Sequence, residues 1–152
     1  YDPGRGLFYV AALHLPTRYI AQKAPRPDGS VLQYASTRDG DERWGTLTAL
    51  DLAGEGQVRW QVRTDEPLVG GVLATAGGLV FSGAGRGVFA AFGSGSGRRL
   101  WAWQCEAGVN APPVTYRAGG HQVIAVAVGG NALFGFKQGD AVMAFALPGE
   151  TH

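Results

Sequence analysis

Few side chains in these 152 residues are spaced for chemistry on their own. His14, His121 and His152 stand far apart and share no metal-ligand spacing. Asp39, Asp41 and Glu42 gather the carboxylates that hard cations take, but not at the spacing of an EF-hand loop, and a solvated loop accounts for them. Gly83, Gly85 and Gly87 make a glycine-rich turn, yet no helix follows to present a phosphate site. Cys105 is the one cysteine, so it forms no internal disulfide and reads as a small buried side chain. No Gly-x-Ser-x-Gly elbow and no Cys–His set occurs. No catalytic residue and no metal ligand is therefore assigned. Asn131, after Gly129-Gly130, offers one acceptor and two donors. It is equally a turn-forming residue.

Any such group must be carried by β-strands. No stretch sustains a helical period; short runs rich in β-branched and aromatic residues recur between Gly, Pro and Asp. One unit is written twice. Trp44 to Asp51 runs on to Gly56-Gln-Val-Arg-Trp60, and Gly87 to Gly93 runs on to Gly97-Arg-Arg-Leu-Trp101. Trp60 and Trp101 lie 41 residues apart. A period near ~40 residues is that of a β-propeller blade. The 25 glycines follow no collagen repeat and serve as turn punctuation. The chain is 45% hydrophobic and 16% charged, which excludes a disordered segment. A net charge of +1 without basic clusters excludes a nucleic-acid footprint. No apolar run approaches the ~20 residues of a membrane helix.

The expected fold is all-β, a partial propeller with one complete four-stranded blade between two partial ones. Residues 1–66 form the first partial blade, interrupted at 16–43 by a long, polar, irregular insertion loop. Residues 67–106 form the complete blade and 107–148 a partial closing blade. Trp60 and Trp101 are expected between blades, where a large ring buries ~150–250 Å². The chain opens on Tyr1 and carries its one methionine at 143, so it reads as a segment from which an N-terminal part is missing.

Ala49-Leu-Asp51 through Trp60, and Ala91-Phe-Gly93 through Trp101, resemble the tryptophan-docking consensus of quinoprotein propellers, the first with one extra residue and no Thr, the second with Gly93 for the Asp. Gly70-Gly-Val-Leu-Ala-Thr-Ala-Gly-Gly-Leu-Val-Phe-Ser-Gly83 and Gly108-Val-Asn-Ala-Pro-Pro-Val-Thr-Tyr116 resemble segments of the pyrroloquinoline quinone (PQQ)-dependent alcohol dehydrogenases. So do Tyr1-Asp-Pro with Gly6 to Val10, and the ending from Gly129-Gly130 through Gly139 to Pro148. Only about residues 16–43 fall outside the resemblance.

That resemblance implies an eight-bladed ring holding PQQ and calcium, with the catalytic groups in other blades. This chain would be its C-terminal part and inactive alone. The implied activity is oxidation of an alcohol or sugar hydroxyl, with electrons passing to a c-type cytochrome in the periplasm. Other partners would be the remaining blades, and no nucleic acid. His14 stands where relatives often carry an Asn touching PQQ, Gly70 and Gly71 follow a position where some carry a Trp, and Asn131 stands where methanol-oxidising relatives carry a Trp. These four are the candidate cofactor contacts, with an ordinary loop histidine and a turn asparagine as the alternatives for His14 and Asn131. A non-enzymatic propeller that binds proteins on its face is the alternative function.

Overall fold

The computed structural model describes residues 1–38 and 42–147. The described residues form four antiparallel sheets and no α-helix. The first sheet holds β1 (Leu7–His14), β4 (Trp44–Asp51) and β5 (Gln57–Thr64), in that spatial order. The second, four-stranded and consecutive, holds β6 (Val72–Ala74), β7 (Leu79–Gly83), β8 (Val88–Gly93) and β9 (Arg99–Gln104). The third holds β10 (Val114–Ala118), β11 (His121–Val128) and β12 (Ala141–Ala146). One complete blade thus stands between two three-stranded ones.

The hairpin turns follow from local chemistry. Between β4 and β5, Asp51 Oδ1 accepts from the amides of Ala53 and Gly54 at 3.0 and 3.1 Å, an Asx turn that starts the reversal. Between β8 and β9, Gly97 takes φ +68 and returns its amide to the Gly93 carbonyl at 2.8 Å. A β-carbon there would stand 2.6 Å from Cε3 of Trp60, so the position is closed to larger residues both by φ and by space.

Residues 17–38 differ from the expected irregular loop. β2 (Thr17–Pro25) and β3 (Val31–Arg38) pair as a separate two-stranded sheet. Pro25, Pro27 and Gly29, which look like breakers, instead bound a tight reversal. The Gly29 amide donates to Arg26 O at 3.0 Å, and Asp28 Oδ1 takes the Ser30 amide at 2.9 Å. Proline is tolerated at strand ends, where no ladder donor is lost. Asp39 and Asp41 of the acidic run, and Pro148 at the expected end of the closing blade, lie outside the described residues.

Burial confirms how the sheets stack. Tyr9, Leu47 and Ala49 of the first sheet pack with Val80, Ala90 and Phe92 of the second. The opposite face of the second, through Phe81, Phe89 and Ala91, packs with Ile124, Val126 and Val128 of the third. β8 is buried on both faces, which explains its unbroken apolar run. Trp60 reaches across to the second sheet. Trp101 meets Phe145 of the third edge-on, with ring centroids 5.1 Å apart.

Candidate cofactor-binding loops

The connections that leave β5, β7, β9 and β11 gather at one end of the sheets, and glycine lets them close on one another. A β-carbon at Gly108 would meet the Gly85 carbonyl at 2.6 Å, Asn110 Nδ2 at 2.8 Å and Gly130 Cα at 3.1 Å. One at Gly70 would meet Asn110 C at 3.0 Å and Ala111 O at 3.1 Å, and one at Gly71 would meet Pro112 Cβ at 2.8 Å. Gly130 takes φ +68 against the Lys137 backbone and donates its amide to Gly108 O at 2.9 Å. Gly85 lies against the ring of Phe136, itself buried.

At the centre of these loops stands Asn110. Its Oδ1 and Nδ2 are both closed to solvent, and neither has a hydrogen-bond partner among the described residues. An unsatisfied buried amide costs about 1–3 kcal/mol, so an asparagine there calls for an explanation.

The four sequence candidates separate. Gly70 and Gly71 pack directly on the segment Asn110–Pro112. Asn131 follows Gly130 and caps a 3-10 turn, Ala132–Phe134; its Oδ1 accepts the Leu133 amide at 3.0 Å. Its Nδ2 has no partner among the described residues, so it keeps two donors. His14 ends β1 and stays with its own sheet: its ring stacks on Trp44, centroids 4.9 Å apart and planes within 3°, and its Nε2 lies 3.1 Å from Thr46 Oγ1. Arg63 lies over the same Trp44 ring, 4.6 Å from its centroid.

Two further side chains mark this end. Arg43, just before β4, donates from Nη1 to the Phe134 carbonyl at 3.1 Å and lies over the Phe136 ring, 5.4 Å from its centroid. It ties the first sheet to the third above the second. Cys105 is buried beside Gly87 and Ala107, and burial pushes its thiol pKa up, which keeps it protonated and unreactive. Arg43 carries no local sign in the sequence, because its partners lie 91 and 93 residues on, and Asn110 none, because Gly70 of another connection packs on it.

Among the described residues no group of three His, Cys, Asp or Glu could hold a metal ion. The glycine cradle and the unpartnered carboxamide of Asn110 fit a polar organic group such as PQQ. A cation at that group would need ligands from elsewhere in the ring.

The chain has relatives among known proteins. The family described as "PQQ: Glucose/ethanol/alcohol dehydrogenase, beta-propeller domain" matches residues 30–124. A quinoprotein ethanol dehydrogenase of Pseudomonas aeruginosa is 39% identical over 132 residues, 85% of this chain and 21% of its own length. The dehydrogenase subunit of an alcohol dehydrogenase (quinone) from Gluconacetobacter polyoxogenes is 30% identical and aligns with 99% of this chain and 24% of its own. Among solved structures, the quinohemoprotein alcohol dehydrogenase of Comamonas testosteroni superposes with a TM-score of 0.78 at 27% identity, covering the whole of this chain and 26% of that one. The chain spans about a fifth to a quarter of the length of the relatives it matches. With the family match covering well over half of its residues, the chain belongs to the PQQ-dependent glucose/ethanol/alcohol dehydrogenase β-propeller family.

Proposed function

We propose that this chain is a wall segment of a quinoprotein dehydrogenase that oxidises an alcohol or a sugar hydroxyl, and that its glycine loops form one side of the cofactor's seat. When bound, PQQ supplies the two-electron acceptor, the hard part of the chemistry. The chain's own part is to bind and orient. The carboxamide of Asn110 and the free Nδ2 of Asn131 would meet quinone carbonyls or carboxylates, which are acceptors that need donors. Gly70 and Gly71 would let backbone approach the ring system closely. His14 on Trp44 would border the seat from the first sheet. Calcium at the quinone, a c-type cytochrome as electron acceptor, a periplasmic location, and Trp60 and Trp101 as docking tryptophans complete the reading; the resemblance of the flanking segments supports each.

The single observation that carries the reading is the unpartnered Asn110 carboxamide inside converging glycine loops. The test is reconstitution of the intact protein with PQQ and calcium, followed by dye-coupled oxidation of ethanol, 1-butanol and glucose. Turnover with one of these classes that depends on PQQ supports it. A protein that binds no PQQ at micromolar concentration sinks it.

A further inference from the structure

The turn that carries Asn131 is closed by its own hydrogen bonds. The Leu133 amide donates to Asn131 Oδ1 at 3.0 Å, the Phe136 amide to Asn131 O at 2.9 Å, and the Gly135 amide to Ala132 O at 3.1 Å. Gly135 takes φ +68 to end the 3-10 turn. Yet Ala132–Phe134 buries none of its three residues, so core packing does not fix where the turn stands. A carboxamide is planar, so whatever holds Oδ1 also sets the direction of the two Nδ2 donors. The aim of those donors is therefore only as firm as the turn.

Contacts with two other sheets anchor it. Phe136, at its far end, is buried against Gly85 of the β7–β8 connection. Arg43 reaches it from the first sheet. Its Nη1 donates to Phe134 O at 3.1 Å, and its guanidinium lies over the Phe136 ring, 5.4 Å from the centroid. The Phe134 and Phe136 rings themselves stack, with centroids 6.0 Å apart. A guanidinium is flat and carries its donors in a fixed fork, so one group can hold a carbonyl and cover a ring at once. Arg43 thus grips the turn by its backbone, three residues on from Asn131, and by the ring that closes it.

We infer that Arg43 is a positioning residue for the quinone cofactor, acting through the Asn131 turn and holding the Nδ2 donors at the seat. The inference rests on the quinone reading of the glycine loops. Arg43 stands immediately before β4, at the end of the inserted segment. The part of the chain that lies outside the family resemblance therefore ends on a residue that holds a cofactor turn of another blade. Arg43 orients and makes no bond to the cofactor. An effect of its charge on an anionic cofactor would persist without Asn131, whereas positioning would not.

The test is a double-mutant cycle in the intact protein freed of cofactor, with PQQ affinity measured by calorimetry in the presence of calcium. Asn131→Ala and Arg43→Ala should each lower affinity about tenfold, and the double variant no further, because Arg43 then has nothing left to aim. Arg43→Lys, which keeps the charge and loses the fork, should recover part of the loss. Before cofactor is added, the Leu133 amide should exchange faster in Arg43→Ala. Trp60→Phe breaks a hydrogen bond between blades at the β8–β9 turn, at the opposite end of the sheets, and should leave affinity unchanged; this separates positioning from general loosening. Unchanged affinity in Arg43→Ala would overturn the inference, since Arg43 would then only stabilise. A double variant about a hundredfold weaker would overturn it too, since the two residues would then act independently. An unaltered protein that binds no PQQ would overturn the quinone reading and this inference with it.

Discussion

The indole Nε1 of Trp60 donates to the Ser94 carbonyl at 2.9 Å, carrying a hydrogen bond from the first sheet into the turn of the second. Tyr9 Oη donates to the same carbonyl at 3.2 Å. One oxygen thus holds two side chains of the neighbouring blade, while the indole lies on Gly97.

Trp60→Phe should therefore lower stability by about 1 kcal/mol through the lost hydrogen bond. Trp60→Ala should cost ~3–5 kcal/mol, because the ring is removed as well. Gly97→Ala should be damaging despite its small size, since it combines φ +68 with a β-carbon 2.6 Å from the indole. Chemical denaturation of the intact protein orders the three. Gly97→Ala as stable as the parent would show that the turn can relax away from Trp60.

Arg43 is expected to act as a strap between blades that do not adjoin. Arg43→Ala removes both the Phe134 hydrogen bond and the cation–π contact, and should cost about 1–2 kcal/mol. Arg43→Lys keeps the charge and loses the planar fork, so it should recover only part of this. Hydrogen exchange around Phe134–Phe136 should rise in both. Unchanged exchange would mean that the strap carries no tension.

The Cys105 thiol sets a pH dependence. Burial raises its pKa in the folded protein above the ordinary thiol value, so the folded state keeps the proton that the unfolded chain gives up. Its contribution is intact below the unfolded thiol pKa, ~8.5, and declines as pH rises through the folded value. The unaltered protein should thus lose melting temperature more steeply above pH ~8.5 than Cys105→Ala. Ellman's reagent should react only after unfolding. Rapid labelling of the native protein would contradict the assigned burial.

Asn110 offers opposite effects in two states. Asn110→Leu removes two unpartnered buried groups at similar volume and should stabilise the cofactor-free protein by roughly 1–3 kcal/mol. The same change should weaken PQQ binding about tenfold for each hydrogen bond of ~1.4 kcal/mol it deletes. A variant that is less stable without cofactor, or that binds PQQ unchanged, would place the carboxamide's partner elsewhere.

The strands were legible because their causes are local. Gly77-Gly78 before Leu79, Gly87 before Val88 and Gly97 before Arg99 punctuate β-type runs, and the four strands of the second sheet fall close to where those runs stand. The β2–β3 hairpin was not legible. Its strands are polar, and Pro25, Pro27 and Gly29 give the same signal for a tight turn as for a disordered loop; long-range pairing decided between them. At the candidate site, Gly70, Gly71, Asn131 and His14 could be marked through family resemblance. Asn110 lies in the resembling segment Gly108–Tyr116 but is not singled out by it, because what isolates its carboxamide is packing against Gly108 and, from another connection, Gly70. Arg43 and Phe134 lie 91 residues apart.

The hairpin of β2 and β3 forms a sheet of its own, inserted between β1 and β4 while those two strands pair in full register from Leu7–Asp51 to His14–Trp44. Its length and sequence can therefore drift without touching the ladder beneath. At this joint a change that fails would still leave the wall standing.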